Sequence, residues 1–158
     1  VQAGQTQFEA PRGVSEIEVR HGFAQVHFVL GSRELTIKRL EVLKVIAEAG
    51  VSHKYLQLTQ NGLALIIAEA QVAEMEELLN KAGITFELNK GRSMILVKSI
   101  GLWEEPGTIA SIVEAAIASG VQVDHVGDMH DRMYMVVKGE VAEDTAAKFR
   151  EHLTGRKN

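Results

Sequence analysis

An α+β fold made of two copies of one β-α-β-β-α-β unit, each an antiparallel sheet with two helices on one face, is what this sequence predicts. Three observations carry that prediction. Residues 13–83 recur as residues 83–153 at a gapless offset of seventy, Gly13, Gly31 and Gly50 returning as Gly83, Gly101 and Gly120; self-similarity at a fixed period marks a duplicated structural unit. Within each copy, two-residue alternation and helical stripes follow one another in the order strand, helix, strand, strand, helix. Each copy alone also lies near the size at which a hydrophobic core is marginal, so the copies are expected to pack as a pair. The units span 13–83 and 84–153, with 1–12 as a flexible lead-in and 154–158 as a tail.

The first copy opens with Val14 to Val19, whose alternating apolar residues suit a strand with one covered face. His21-Gly22 reads as a tight turn, and Phe23 to Leu30 as the next strand. Leu35 to Ala49 is a helix with Ile37, Leu40, Leu43, Ile46 and Ala47 on one face, capped by Gly50. Val51 to Thr59 and Leu63 to Ala68 flank Asn61-Gly62, a type I′ hairpin signal that requires positive φ at both central positions. Val72 to Ala82 is the second helix, with Val72, Met75, Leu78, Leu79 and Ala82 inward, ending at Gly83.

The second copy repeats the order: Ile84 to Leu88, a turn at Lys90-Gly91, the strand Met94 to Ile100, and a helix opened by Pro106. Ile109, Ile112, Val113, Ala116 and Ile117 form its inward stripe before Gly120. Strands at Val121 to Asp128 and Met133 to Lys138 precede a last helix with Ala142, Ala146, Phe149 and Leu153 on one side. The result is the ferredoxin-like arrangement, twice.

Counting strands adds an inference. Ile84 to Leu88 can close the first sheet, but no strand follows Leu153 to close the second, while Val14 to Val19 stands unused ahead of the first copy. An open strand edge is a template for aggregation. Sending Val14 to Val19 across to the second sheet resolves both and interlocks the copies by strand exchange.

Composition excludes several function classes. A net charge of −4 and the absence of a basic stripe argue against nucleic acid and anionic membrane as partners. Without cysteine there is no disulfide framework, thiolate metal site or Cys nucleophile, which fits the cytoplasm. No apolar run reaches membrane-spanning length, and the opening residues lack the features of a signal peptide.

The sequence carries no catalytic signature. Asp124, His125, Asp128, His130 and Asp131 have the residue types of a metal site, yet alternation splits Asp124 and His125 onto opposite faces and Asp-rich turns need no metal. No metal site and no cofactor are expected. The segment Gly101-Leu102-Trp103-Glu104-Glu105-Pro106-Gly107 lacks the Lys and Ser/Thr of a phosphate loop, and the strands Ala24 to Leu30 and Met94 to Ile100 offer only Phe28 for base stacking. What remains is that loop and the helix N-terminus behind it, where unpaired backbone N–H groups suit a small carboxylate and the acidic side chains an ammonium group. Such features fit a zwitterionic amino acid; they fit equally a plain connection with Pro at the first helical position. Trp103 fits either a ligand contact or packing on a neighbouring domain.

Gly101 through Val126, with its Glu-Pro-Gly-Thr-Ile-Ala helix start and Ala-Ile-Ala-Ser-Gly-Val-Gln-Val end, resembles an ACT domain, a module that binds amino acids and regulates metabolic enzymes. Gly13-Val14-Ser15, Ile46 to Ser52, and Val136-Val137-Lys138 followed by a helix ending Phe149 to Leu153 extend the resemblance to the tandem regulatory region of aspartokinases, over residues 13–153. That resemblance implies a non-catalytic regulatory module, lysine, threonine or diaminopimelate as effector, a homodimer with side-by-side sheets, and an amino-acid kinase catalytic domain as partner. It places effector contacts at Gly101, Trp103, Glu105, Gly107, Thr108 and Ile109, and at Val121, Gln122 and Val123, where family members meet the ligand backbone. Gly31 to Thr36 departs from the family's first loop, and Gln122 stands where Asn is common. The competing expectation is a structural ACT pair that joins chains or docks on an enzyme and binds nothing small.

Overall fold

The computed structural model describes residues 13–100, 107–129 and 131–154. The elements are β1 (Gly13–Val29), α1 (Leu35–Ala49), β2 (Lys54–Thr59), β3 (Gly62–Ala68), α2 (Val72–Lys81), β4 (Glu87–Ile100), α3 (Thr108–Ala118), β5 (His125–Met129), β6 (Arg132–Lys138) and α4 (Ala142–Thr154). The offset of seventy holds in three dimensions. The strands Gly62–Ala68 and Arg132–Lys138 are its two images, as are the single 3-10 turns Glu69–Gln71 and Gly139–Val141 that lead into α2 and α4.

Two expected turns are absent. β1 and β4 run unbroken through His21-Gly22 and Lys90-Gly91. Gly22 and Gly91 do adopt positive φ, +83° and +63°, but a glycine in that region serves an irregularity inside a strand as readily as a hairpin. Each long strand is thereby divided between two compact units, one of residues 21–92 and one in which residues 13–20 join 93–154.

In the unit of residues 21–92 the strand order is β2-β3-β1-β4. β1 pairs antiparallel with β3 from Phe23↔Ala68 to Val29↔Gly62. Ala24, Val26 and Phe28 on one strand and Leu63, Leu65 and Ile67 on the other form one face, covered by Val42 and Ile46 of α1 and by Val72, Met75 and Leu79 of α2. Ile84, Phe86 and Leu88 pack on the same core, but the strand expected over Ile84 to Leu88 begins only at Glu87. Arg39 ties α1 to the β2–β3 hairpin through Nε to the Gly62 carbonyl at 2.8 Å and a guanidinium contact to the Thr59 carbonyl.

The stripe expected on α1 is corrected in part. Val42 and Ile46 are buried, but Ile37 and Leu40 are 56% and 61% exposed and Ala47 also faces outward. The helix carries apolar residues around much of its circumference, so periodicity alone does not decide which face turns inward. The hairpin needs correction too. Thr59 pairs with Gly62, which puts Gln60 and Asn61 at the turn, and neither Asn61 nor Gly62 has positive φ, so the turn is not type I′.

One buried polar group stands out in this unit. Gln25 has no exposed surface, and both its amide nitrogen and its amide oxygen lack a hydrogen-bond partner. Burying an unpaired amide costs roughly 1–3 kcal/mol. Gln25→Met, which keeps the shape and removes the polarity, is expected to raise stability by about that amount in urea unfolding; a loss would show that the amide is satisfied after all.

The second unit has the order β1-β4-β6-β5. Ile95 and Val97 of β4 and Met133, Met135 and Val137 of β6 face Ile112, Ala115 and Ala116 of α3 and Ala142 and Phe149 of α4. Val14, Ile17 and Val19 pack on that same core, and Arg150 donates to the Ile17 carbonyl at 3.1 Å. The strand exchange inferred from the strand count is present. α3 starts at Thr108 with Gly107 at its N-cap; Pro106, expected to open the helix, lies outside the described residues. In the expected α3 stripe, Ile112 and Ala116 are buried, whereas Val113 and Ile117 are 39% and 75% exposed.

Candidate functional site

The N-terminus of α3 is built around Gly107, whose φ of +99° turns the chain into the helix and whose carbonyl accepts from Ser111 N at 2.8 Å. No side chain caps it. The first turn's N–H groups have no acceptor within the helix, and the helix dipole adds partial positive charge there. Thr108 and Ile109 are half-buried, Ile109 against the unit's core. Gly101, Trp103 and Glu105 lie outside the described residues.

Val121, Gln122 and Val123 follow the other end of α3. Ser119 fixes that end: its hydroxyl donates to the Ala116 carbonyl at 2.6 Å and accepts from Val121 N at 3.3 Å, while Lys148 Nζ reaches the Ser119 carbonyl at 3.3 Å. An eleven-residue helix is about 16 Å long at 1.5 Å per residue. Gly107, Thr108 and Ile109 are therefore separated from Val121 by more than the length of one small amino acid, and a single unit does not bring the two groups together.

Val121 and Val123 instead line a cavity of 240 Å³ between α3 and the strands. Ile112, Val113, Ala116 and Ile117 of α3, Val126 of β5 and Met133 and Met135 of β6 complete its wall. Gln122 is exposed and outside it. Nothing in the wall titrates or attacks, so it offers enclosure of apolar atoms and no proton transfer. Helical periodicity assigns the α3 residues among these simply to the core. The signal that distinguishes them is a difference between the copies, Ile46-Ala47 becoming Ala116-Ile117.

Ionisable groups elsewhere form surface pairs. Arg20 Nε donates to Glu18 Oε1 at 2.8 Å, and that hydrogen bond holds the Glu18 carboxyl below the usual range. Asp131 meets Lys98 at 3.9 Å and Arg132 at 3.6 Å. Among the described residues no group of three or more His, Asp or Glu side chains is placed to hold a metal, and His130 lies outside them. No helix among the described residues is long and apolar enough to cross a membrane.

Comparison with solved structures shows the fold. The ligand-free regulatory subunit of aspartate kinase from Thermus thermophilus superimposes with a TM-score of 0.78 at 16% identity, covering 89% of this chain and 98% of that one. A structure of aspartokinase alpha and beta subunits gives 0.79 at 11% identity, with coverage of 90% and 99%. E. coli aspartokinase III in complex with lysine and aspartate gives 0.68 at 17% identity over 92% of this chain and 34% of that one. No family model matches the sequence, and no curated protein matches it. The fold is that of aspartate kinase regulatory subunits, mixed α/β with antiparallel strands in ferredoxin-like units.

Proposed function

We propose that this chain is a non-catalytic regulatory module of aspartokinase type, binding a small amino acid and controlling an amino-acid kinase domain in the cytoplasm. The single observation that carries the reading is a fold shared, over nine-tenths of the chain, with aspartate kinase regulatory subunits. The tandem order of the duplicated units, residues 13–83 and 84–153, supports it.

In this reading the α3 N-terminus, with the Gly107, Thr108 and Ile109 amides, holds the α-carboxylate of lysine, threonine or diaminopimelate. In the same reading Gly101, Trp103 and Glu105, which lie outside the described residues, also contact the effector. Since Val121 to Val123 stand a helix length away, an effector touching both groups is gripped by two copies, the Gly107 end of one and the Val121 end of the other. Effector binding and homodimer formation then favour each other, and a ligand acts by stabilising one arrangement over another. Leu56 and Leu58, 43% and 59% exposed on the sheet-edge strand β2, offer apolar surface for such pairing.

Thermal unfolding combined with sedimentation tests this. Lysine, threonine or diaminopimelate at about a hundredfold over its dissociation constant is expected to add about 2.7 kcal/mol of stability and to shift the protein toward dimer. Gly107→Val is expected to abolish the stabilisation, because a side chain blocks close approach of the ligand to the backbone; Ile37→Val, at the equivalent position of the first unit, is expected to leave it intact. If no aspartate-pathway amino acid moves the melting curve at millimolar concentration, the chain is a structural pair.

A further inference from the structure

The turn after α3 is held by side-chain hydrogen bonds that its image in the first unit cannot form. At the offset of seventy, Ser119 corresponds to Ala49 and Lys148 to Leu78. Helix termination does not account for the difference. α1 ends at Gly50, with φ +67° and its N–H on the Ala47 carbonyl at 3.1 Å, and α3 repeats this at Gly120, with φ +67° and its N–H on the Ile117 carbonyl at 3.1 Å. The same cap therefore forms with alanine and leucine as with serine and lysine. What the polar pair adds lies beyond the cap: Ser119 Oγ accepts from Val121 N, and Lys148 Nζ, reaching over from α4, donates to the Ser119 carbonyl.

The two units also hold the next residues by different means. In the first, Val51 belongs to the core at 5% exposure, and burial fixes the chain. In the second, Val121 is only half-buried. Hydrogen bonds pin both ends of the segment instead, Ser119 Oγ at Val121 N and the Val136 carbonyl accepting from Asp124 N at 2.8 Å. Between these pins, no hydrogen bond engages Gln122 or Val123 among the described residues. Peptide groups that are held in place but left unused suit the polar head of a small ligand, because ordering them on binding would cost affinity. We propose that Ser119 and Lys148 are positioning residues for the effector, fixing the backbone of Val121 to Val123 in the arrangement that meets it, and that Ala49 and Leu78 leave the first unit without this clamp. The proposal rests on the regulatory reading and adds to it the side chains that set affinity without touching the ligand.

Ser119→Ala and Lys148→Leu install the first unit's residues. In the unliganded chain, the amides of Val121 and Asp124 are expected to exchange about tenfold faster in each variant, while Gly120 and Ile112 keep their protection. The Lys148 variant is the stricter of the two, because it leaves the Ser119 hydroxyl in place. Titration with lysine, threonine and diaminopimelate is expected to show about tenfold weaker binding in both variants, for whichever of the three the unaltered chain binds. Ser119→Thr and Lys148→Arg, which keep the donors, are expected to bind as the unaltered chain does. Three results overturn the proposal: unchanged exchange at Val121 and Asp124 in Lys148→Leu, loss of protection at Gly120 and along α3 together with Val121, which would make the pair a helix cap, or full affinity in both first-unit variants. Failure of the unaltered chain to bind any of the three amino acids is a different result, which sinks the regulatory reading and takes the effector role of the clamp with it.

Discussion

Gly62→Ala is expected to destabilise the unit of residues 21–92 by roughly 3 kcal/mol or more, at the upper end of what single substitutions do. The cause is space and not conformational freedom, since Gly62 does not have positive φ. A Cβ built there overlaps the Phe28 carbonyl oxygen across the ladder. That oxygen cannot swing aside. Phe28 pairs with Leu63, Val29 pairs with Gly62, and Leu30 N donates to the Asn61 carbonyl at 2.7 Å, so relief requires opening the end of the β1–β3 ladder. The Gly62 carbonyl also accepts from Arg39, so a shift there loosens the tie to α1. Gly31→Ala is the control: Gly31 has φ +79° with nothing within 4 Å of the place a Cβ would occupy, and the penalty expected is only about 1–2 kcal/mol of left-handed backbone strain. Urea unfolding of the two variants separates the explanations, and a Gly62→Ala loss no larger than that of Gly31→Ala removes the steric argument.

Gly62 also shows where local sequence reasoning stops. Asn61-Gly62 reads correctly as a hairpin, because two apolar runs flank it, but the requirement for glycine comes from Phe28, thirty-four positions earlier in the sequence. Long-range contacts of that kind leave no local pattern. The same limit explains α1: Ile37 and Leu40 fit an i, i+3 stripe as well as Val42 and Ile46 do, and only the position of the sheet selects between the faces. The order of elements and the exchanged strand were legible, because a repeat and a strand count are properties of the whole chain. At the candidate site, resemblance alone draws attention to Val121 and Val123. That Ala116 is buried and Ile117 exposed was not legible, because a single-sequence stripe gives both the same inward status.

Removing residues 1–20 is expected to have the larger effect, and to strike the part of the chain most distant in sequence. Residues 13–20 belong with 93–154, so a chain beginning at His21 keeps β2, β3, α1 and α2 complete while the other unit loses its outer strand. Val14, Ile17 and Val19 leave that core half-finished. At about 1 kcal/mol for each half-buried aliphatic, together with the ladder bonds of the lost strand and the Arg150 contact to Ile17, the loss is on the order of 3–5 kcal/mol. Whole domains are stable by only about 5–15 kcal/mol, so this brings the unit close to unfolding and leaves β4 with an open edge. Amide hydrogen exchange is expected to show protection lost in β6 and α4 and kept in β3 and α2. A peptide of residues 13–20 added in trans is expected to restore the lost protection. Equal protection throughout the truncated chain would mean that the strand is dispensable. If the expectation holds, β1 is a single covalent strand on which two cores depend.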